Sequence, residues 1–328
     1  MNNEWQSIFA KDASLFPHLA DLQKDQILLS TMSEAGFQDA SFLDQRLFTP
    51  DLQRQIVSWA DIVSVALPAL PKPQYIFHIG HVGSTLISRL LGELDSILAL
   101  REPAILRQLA DVHVNNPADV GWTLDEQAER LGQVEGWLSR VFHTDQRVMI
   151  KASSFVSPLA RSLLAEAGTA LFLFASLERY LQTILAGDAS KQEAAALADI
   201  RLYRLEQHCG EALEKRENLS LAQTAALGWL CEMVTLRDAR AECPDAAITW
   251  MDFDEFLRHP AEQLQLAANH FGLGLSAEVS TDLVSGPIMT RYSKAPEHDY
   301  SASLREELLA GAAQIHADDI KQTLLWVD

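Results

Sequence analysis

The feature of this sequence that most constrains its fold is the alternation of short apolar runs with longer amphipathic stretches after about residue 70. Five runs have the length and apolar content of buried strands: 75–79, 96–100, 147–150, 169–174 and 247–251. Stretches with helical spacing of apolar residues lie around them: 84–94, 124–142, 157–167, 177–186, 190–216, 220–241 and 254–271. Strands that alternate with helices connect through right-handed crossovers and build a mostly parallel sheet covered on both faces. We therefore predict an α/β three-layer sandwich whose ligand site lies at the carboxyl ends of the strands.

The first 70 residues have a different pattern. Between residues 42 and 59, apolar side chains recur at helical spacing, without the alternation that is typical of a half-buried strand. Pro50-Asp51 provides a break and a helix start, and the proline-rich segment 68–73 is a stiff connector. We predict a helical N-terminal extension over residues 1–70, followed by the α/β domain over residues 71–328.

The chain is strongly acidic, with 26 Lys and Arg against 45 Asp and Glu and a formal net charge of −19. Such a surface repels the phosphate backbone of nucleic acids and disfavours anionic membranes. We therefore expect a small-molecule partner, and an anionic one requires a local basic pocket. Association of identical subunits is compatible with this composition but is not specified by it.

The cysteines and the N-terminus indicate the compartment. Cys209, Cys231 and Cys243 share no CxxC spacing and are too few for a disulfide framework, which predicts reduced thiols. Residues 1–10 lack the basic-then-apolar pattern of a signal peptide, and no apolar run reaches the length of a membrane span. We predict a cytoplasmic protein.

The loop after the first predicted strand, Gly80-His81-Val82-Gly83-Ser84-Thr85, joins an apolar run to a helix. Glycines let the backbone approach an anion closely, and free N–H groups at a helix start point towards it. The alternative is an ordinary strand–helix turn with Ser84 as the N-cap. The loop is not a Walker A motif, because two residues separate its glycines and no lysine follows.

This strand–loop–helix segment is similar to the 5′-phosphosulfate loop of the sulfotransferase family, typically Pro-Lys-Ser-Gly-Thr-Thr. The resemblance implies a P-loop NTPase-like fold, with 3′-phosphoadenosine-5′-phosphosulfate (PAPS) as co-substrate and PAP as product. Gly83, Ser84 and Thr85 match the family in register, whereas His81 stands where the family has lysine. An imidazole still donates a hydrogen bond but supplies less charge at pH 7. No metal is expected, since the closely spaced pair His78 and His81 has no third ligand nearby.

Two further strand ends follow in the order that the family has. The segment 98–103 resembles the Arg-Glu-Pro element of bacterial sulfotransferase-like proteins, which implies that Glu102 is the general base. The alternative is an ion pair of Glu102 with Arg101 or Arg107, or a carboxylate at a helix start.

The segment 148–154 is similar to the family's Lys-Thr-His segment, with Lys151 at the lysine that contacts the bridging oxygen and Ser153 at the histidine. Without that histidine, the role of base passes to Glu102. A lysine beside an apolar strand is otherwise most often a surface residue with its charge in water.

The late segment 247–273 is similar to the family's last strand and the helix after it. It is a structural signature, in which acidic residues cap the helix and Pro260 breaks or restarts it. Asp252 has an alternative interpretation as a Walker B aspartate, because it follows an apolar strand.

The fourth strand end departs from the family, because Ala175 or Ser176 stands where the family has an arginine for the donor's 3′-phosphate. Arg179 and Thr183 lie one helical turn apart and are the nearest substitutes.

A late basic and aromatic loop, residues 286–294, resembles the loop with which the family closes the donor pocket. Arg291 and Lys294 would cover a phosphate there, with His298 and Tyr300 facing the acceptor. An ordinary surface loop is the alternative for this segment.

These segments, spanning residues 73–300, support the hypothesis of sulfuryl transfer from PAPS to a hydroxyl or amine. Two rival hypotheses are a small-molecule kinase that uses ATP and magnesium and a catalytically silent nucleotide-binding protein. His81 and the missing arginine of the fourth strand favour the silent protein.

Overall fold

The central element of the structure, a computed structural model that describes residues 4–293 and 299–327, is a sheet of five parallel strands. Within the described residues the strands are β1 (Leu15–Asp21), β2 (Gln26–Thr31), β3 (Arg54–Ser58), β4 (Gln74–His78), β5 (Ile97–Arg101), β6 (Arg147–Lys151), β7 (Thr169–Phe174) and β8 (Ala247–Asp252). The helices are α1 (Glu4–Lys11), α2 (Glu34–Asp39), α3 (Trp59–Val63), α4 (Ser84–Leu91), α5 (Ala104–Val114), α6 (Leu124–Leu138), α7 (Ala160–Leu164), α8 (Leu177–Ala186), α9 (Asp188–Ala196), α10 (Ala198–Cys209), α11 (Leu221–Glu242), α12 (Phe253–Arg258), α13 (Pro260–His270), α14 (Ala277–Ser285), α15 (Ala302–Ile315) and α16 (Ala317–Val327). Short 3₁₀ turns span Gln45–Leu47, Pro117–Val120, Ser154–Leu159, Arg216–Asn218 and Pro287–Thr290.

The order of the central sheet is β5-β6-β4-β7-β8, and each neighbouring pair is parallel. The predicted α/β fold with a parallel sheet is confirmed. Every residue of β4 and β5 is buried, because helices cover both faces of the sheet. This burial explains why the sequence shows uninterrupted apolar runs there.

The strand order places the predicted site residues at one edge of the sheet. The first strand of the sheet, β4, lies between β6 and β7, so the chain crosses to opposite sides after it. Parallel strands end at the same edge, and a crevice opens where the order reverses. The loop after β4 therefore lies beside Lys151 at the end of β6 and beside the start of α8.

The N-terminal segment is not the all-helical extension that was predicted: besides the short helices α1, α2 and α3, it forms an antiparallel sheet of order β1-β2-β3. The residues with apparent helical spacing are divided among irregular segments, the turn Gln45–Leu47, β3 and the start of α3. In β1 a register shift between Pro17 and Leu19 interrupts the alternation of buried side chains. Strands of five to seven residues with such an irregularity show no clear period of two, and this caused the wrong prediction.

The N-terminal sheet packs on the α/β layers and shares their core. Gln108 of α5 both donates to and accepts from the backbone of Ala20 in β1, at 2.7 and 2.8 Å. Buried side chains of this sheet belong to the same hydrophobic cluster as those of β4 and β5.

Two buried arginines hold the N-terminal segment to the rest of the protein. Arg140 donates hydrogen bonds to the carbonyls of Phe9, Asp12 and Leu15, at 2.6 to 2.9 Å. Arg101 donates to the carbonyls of residues 37, 38 and 40. Burial lowers the pKa of each guanidinium to about 9. The hydrogen bonds that offset the cost of burying these charges come from backbone carbonyls rather than from carboxylates.

Two further predictions concern the cysteine thiols and membrane-spanning segments. Cys231 and Cys243 are buried and Cys209 is exposed, and all three are unpaired thiols. Across residues 4–293 and 299–327, none of the helices is both long and apolar enough to traverse a lipid bilayer.

Candidate functional site

The loop after β4 has the backbone geometry of an anion-binding turn. Gly80, His81 and Gly83 have φ values of 89°, 55° and 65°, all in the left-handed region. Gly83 is the N-cap of α4 and provides no capping side chain, whereas Ser84 lies inside the first turn. The alternative of an ordinary turn capped by Ser84 is therefore wrong. The first N–H groups of α4 have no side-chain cap and remain available to a ligand.

Close packing fixes the position of this turn. A Cβ atom at Gly83 would lie 1.9 Å from the ring of Phe253, so only glycine fits under that ring. At the other end of the turn, the Gly80 N–H donates to Nδ1 of His78 at 2.9 Å. The backbone of the turn is thus held at both ends.

The hydroxyl of Thr85 is the strongest candidate in this loop for a hydrogen bond to a ligand. Thr85 is 1% exposed, and its Oγ1 has no hydrogen-bond partner among the described residues. Buried hydroxyls in native proteins are nearly always paired, so an orphaned one beside free helix amides marks a place for an acceptor.

His81, which stands at the family's lysine position, points towards a carboxylate. Its Nε2 lies 3.3 Å from Oε2 of Glu193 on α9. The loop therefore carries an acid–imidazole pair at its rim instead of a permanent cation of its own.

Glu102 and Lys151 form a direct ion pair at the ends of β5 and β6. The side chain of Lys151 is 0% exposed, so the alternative of a surface lysine is wrong. Glu102 has a left-handed φ of 52°, and its N–H donates to the Lys151 carbonyl at 2.7 Å.

The alternative ion pairs of Glu102 are not formed. The Arg101 guanidinium donates to backbone carbonyls of the N-terminal segment, and Arg107 lies over the ring of Phe155 at 5.0 Å. Glu102 is therefore paired with Lys151 rather than with an arginine.

The segment after Lys151 reaches the phosphate-loop candidate. The Ala152 N–H donates to the carbonyl of Ile76 in β4 at 3.0 Å. Two residues later, Oγ of Ser154 lies 3.7 Å from the Cβ position of Gly80. The Ser153 hydroxyl, at the position of the family's histidine, is buried and has no partner within the described part of the chain. The segment that follows Lys151 therefore approaches the Gly80 end of the loop.

Arg179 and Thr183 do not converge as predicted, although they lie one turn apart on α8. The Arg179 guanidinium contacts Asp254 at 3.4 Å and Glu306 at 2.6 Å. Partial burial works against its charge, but these carboxylates prevail and raise the pKa of Arg179. The Thr183 hydroxyl donates to the Arg179 carbonyl at 2.8 Å, and its side chain lines the cleft beside the loop.

Arg291 of the late loop borders the same cleft. It pairs with Asp299 at 3.0 Å, across an isolated antiparallel bridge between the two residues. Tyr300 also lines the cleft, whereas Lys294 and His298 lie outside the described residues.

The cleft beside the loop has a volume of about 410 Å³. Its floor is the turn from His81 to Leu86, and its apolar walls include Phe253 together with Leu304 and Leu308 of α15. A cleft with anion donors at the floor and apolar walls above suits a ligand that joins a phosphate to a flat apolar group.

Sequence reasoning missed Tyr180 of α8, which reaches the loop, and Arg201 of α10, which lies near Tyr180. The Tyr180 hydroxyl lies 3.9 Å from the Cβ position of Gly80. The Cβ position of Gly228 on α11 lies 2.8 Å from Nη1 of Arg201 and 3.0 Å from the same hydroxyl. The signal in the sequence was only the spacing of Arg201 and Leu205 on one helix face, which is more often a core contact.

No family model and no curated protein matches the chain. Solved structures similar to it include the sulfotransferase domain from the curacin biosynthetic pathway, at 12% identity, a TM-score of 0.43, and coverage of 76% of this chain and 99% of that one. The sulfotransferase of Alicyclobacillus acidocaldarius has 15% identity and a TM-score of 0.37, over 76% of this chain and 94% of that one. Sulfotransferase STF9 of Mycobacterium avium has 14% identity and a TM-score of 0.38, over 76% and 77%. These similar structures are of the family that the sequence motifs resemble.

Proposed function

We propose that the protein is a sulfotransferase-like enzyme that transfers a sulfuryl group from PAPS to a hydroxyl or amine of a small-molecule acceptor. The observation that carries this proposal is the turn between β4 and α4, with its uncapped helix amides and the orphaned buried hydroxyl of Thr85. Because the turn has no Walker lysine, it favours a phosphosulfate over a nucleoside triphosphate.

The residues of the floor would hold the donor's 5′-phosphate. The first amides of α4 supply hydrogen bonds and the positive end of the helix dipole, and Thr85 adds a hydroxyl. Thr183 and Arg291 line the cleft and are assigned to the 3′-phosphate. Arg179 would contribute only by exchanging a carboxylate partner for that phosphate.

The ion pair at the ends of β5 and β6 would carry out the proton transfer. PAPS supplies an activated sulfuryl group, whose sulfur–oxygen bond to the phosphate breaks as the acceptor oxygen or nitrogen bonds to sulfur, leaving PAP. Glu102 takes the proton from the acceptor. Lys151 pairs with Glu102 and supplies positive charge near the oxygen that leaves with the electron pair.

The kinase alternative depends on Asp252 as a magnesium ligand. The Asp252 carboxylate instead accepts hydrogen bonds from the N–H groups of Asp254 and Glu255, at 2.7 and 3.3 Å, and caps α12. This use of the carboxylate favours sulfuryl transfer over phosphoryl transfer.

Calorimetric titration with PAP and with ATP·Mg²⁺ tests the donor. We expect PAP to bind and Thr85→Val to weaken it by about 10-fold to 100-fold, since a hydrogen bond to a charged group contributes about 1.5–3 kcal/mol. Ser88→Ala is the matched control, because it also removes a buried, unpartnered hydroxyl from α4 but outside the cleft. Binding of ATP·Mg²⁺ without PAP would support the kinase, and binding of neither would support the silent protein.

Release of PAP from PAPS in the presence of a panel of small alcohols, phenols and amines tests the base. We expect Glu102→Gln to bind PAP as the wild type does and to lose about 10²–10⁴ in rate. A Glu102→Gln variant with undiminished transfer would remove Glu102 from the mechanism.

A further inference from the structure

Arg201 is a buried cation whose guanidinium is poorly satisfied by the protein. The residue is 3% exposed, and its Nε has no hydrogen-bond partner among the residues that the structure describes. Its ion pair with Oε1 of Glu232 is long, at 3.7 Å. A buried guanidinium without good acceptors is costly, so its retention calls for another partner.

The neighbouring arginine on α10 shows the contrast. Arg204 also pairs with Glu232, but donates to it at 3.0 and 3.2 Å and to Ser157 and Thr235 at 3.1 and 2.9 Å. Arg204 is thus sufficient to neutralise the buried carboxylate. Arg201 lies beside it, and its Nη1 and the Tyr180 hydroxyl lie 2.8 and 3.0 Å from the Cβ position of Gly228.

The Tyr180 hydroxyl connects Arg201 to the Gly80 end of the loop. It lies 3.0 Å from the Cβ position of Gly228, beside Arg201, and 3.9 Å from the Cβ position of Gly80, which Oγ of Ser154 also approaches at 3.7 Å. Burial, with the charge of Glu232 adding to it, raises the pKa of Tyr180 to about 12, so its hydroxyl keeps its proton and is a donor at neutral pH.

We propose that Arg201 and Tyr180 form an oxyanion subsite at the Gly80 end of the loop, and that this subsite binds the sulfuryl end of the donor. The inference rests on the proposed function. The helix amides lie at the opposite end of the loop and are assigned to the phosphate, so the sulfuryl group attached to that phosphate extends towards Gly80. Beyond Gly80 lie Ser154 and the segment that carries Lys151.

The charges around this subsite fit such a role. Burial works to lower the pKa of Arg201, but nearby negative charge, including the carboxylates of Glu232 and Glu193, more than offsets it and raises that pKa, so the guanidinium stays charged. It supplies the permanent positive charge that His81 does not. Glu193 is the opposing charge, and it lies on the rim with 52% of its side chain exposed and its carboxylate in contact with His81.

Comparison of PAP with PAPS isolates the subsite, because the two ligands differ only in the sulfuryl group. We expect Arg201→Gln to bind PAP within about twofold of the wild type and PAPS about 10-fold to 100-fold more weakly, by the loss of a charge-assisted hydrogen bond. Arg204→Gln is the matched control. It removes a cation from the same carboxylate and lowers the thermal midpoint, but it leaves the ratio of the PAP to the PAPS dissociation constant unchanged.

The outcomes separate this inference from the proposed function. If the wild type binds neither ligand, both fail. If the wild type binds both and Arg201→Gln keeps the wild-type ratio, the donor site stands and the subsite is wrong. An equal loss of PAP and PAPS would also overturn it, since Arg201 would then act only on the fold. Should Arg201→Gln not fold, Arg201→Lys decides: a fall of the ratio by about threefold or more supports the subsite, and an unchanged ratio refutes it.

Discussion

His81 and Glu102 both hold a left-handed backbone conformation that side chains other than glycine rarely adopt. Each such residue costs about 1–2 kcal/mol and persists only where its surroundings enforce it. For Glu102 the enforcing contact is the hydrogen bond of its N–H to Lys151. For His81 it is the pair of glycines around it and the packing of Phe253 on the turn. Strain of this kind collects at sites of binding and catalysis, where it positions side chains that relaxed backbone would direct elsewhere.

A methyl group at Gly83 tests how strictly the turn is built. We expect Gly83→Ala to lower the free energy of unfolding by about 2–5 kcal/mol, as the sum of left-handed strain and overpacking against Phe253. Gly121→Ala is the control, because Gly121 has a φ of 77° but nothing within 4 Å of its Cβ position. Urea denaturation measures both, and equal losses in the two variants would show that Phe253 does not restrain the turn.

At the scale of single elements, α15 forms a wall of the cleft and is attached to it by charge. Arg305 of α15 contacts Asp254 at 3.0 Å, and Glu306 contacts Arg179 of α8. Asp254 thus joins two arginines from different helices, and it is largely buried. Arg179, which the sequence suggested as a phosphate ligand, is therefore used here to hold α15 in place.

Removal of the Asp254 charge is expected to loosen that wall. Asp254→Asn should lower the free energy of unfolding by about 1–3 kcal/mol, since hydrogen bonds to charged groups are lost, and should speed amide exchange in α15. Glu255→Gln, one residue away, breaks exposed pairs with Arg258 and His259 and should cost less than about 1 kcal/mol. Unchanged exchange in α15 would contradict the attachment.

The N-terminal sheet carries a pH-dependent element in His18. The imidazole is fully buried, and its Nδ1 shares a hydrogen bond of 3.0 Å with the Ser30 hydroxyl. Its ring centre lies 4.7 Å from that of Phe48. Burial lowers its pKa below the ordinary value of 6.5. The unfolded chain therefore binds the proton more readily than the folded protein. The contribution of neutral His18 to the free energy of unfolding is fully present above pH 6.5 and is lost as the pH falls below it.

Replacement of His18 should flatten that dependence. We expect His18→Phe to lose less stability than the wild type between pH 7.5 and pH 5, as measured by urea midpoints at each pH. An identical slope in His18→Phe would show that His18 does not couple folding to protons.

At the scale of the whole molecule, an antiparallel sheet and a parallel sheet are joined into one core by buried arginines. Arg101 and Arg140 each bind backbone carbonyls of the N-terminal segment, which has to be folded for those bonds to exist. Loss of either guanidinium leaves several buried carbonyls without a donor.

Arg140→Met is expected to lower the free energy of unfolding by about 3–5 kcal/mol, because breaking a buried charged network is costly even when the volume is kept. Arg161→Met is the control, as its ion pair with Glu242 is 71% exposed on the arginine side and should contribute less than about 1 kcal/mol. Thermal unfolding measures both. If the two variants were equally stable, the N-terminal sheet would not depend on Arg140.

The parallel sheet and the phosphate-loop candidate were predictable because their signals are local. A strand buried on both faces is continuously apolar over five residues, and a turn that approaches an anion needs its glycines within the turn itself. Glu102 and Lys151 were found through the resemblance of their segments to family motifs. Their shared place in the fold follows because parallel strands end at one edge whatever their order in the sheet.

What the amino-acid sequence alone determined was therefore the alternation of strands and helices and the position of the glycine-containing loop after β4. Each of these is set by residues a few positions apart. Only the tertiary structure decided the N-terminal sheet, the diversion of Arg179 to Asp254 and Glu306, and the placement of Arg201 beside Gly228 and Tyr180. These features join residues far apart in the chain, and a charge takes the partner that folding brings within reach rather than the one that its neighbours in sequence suggest.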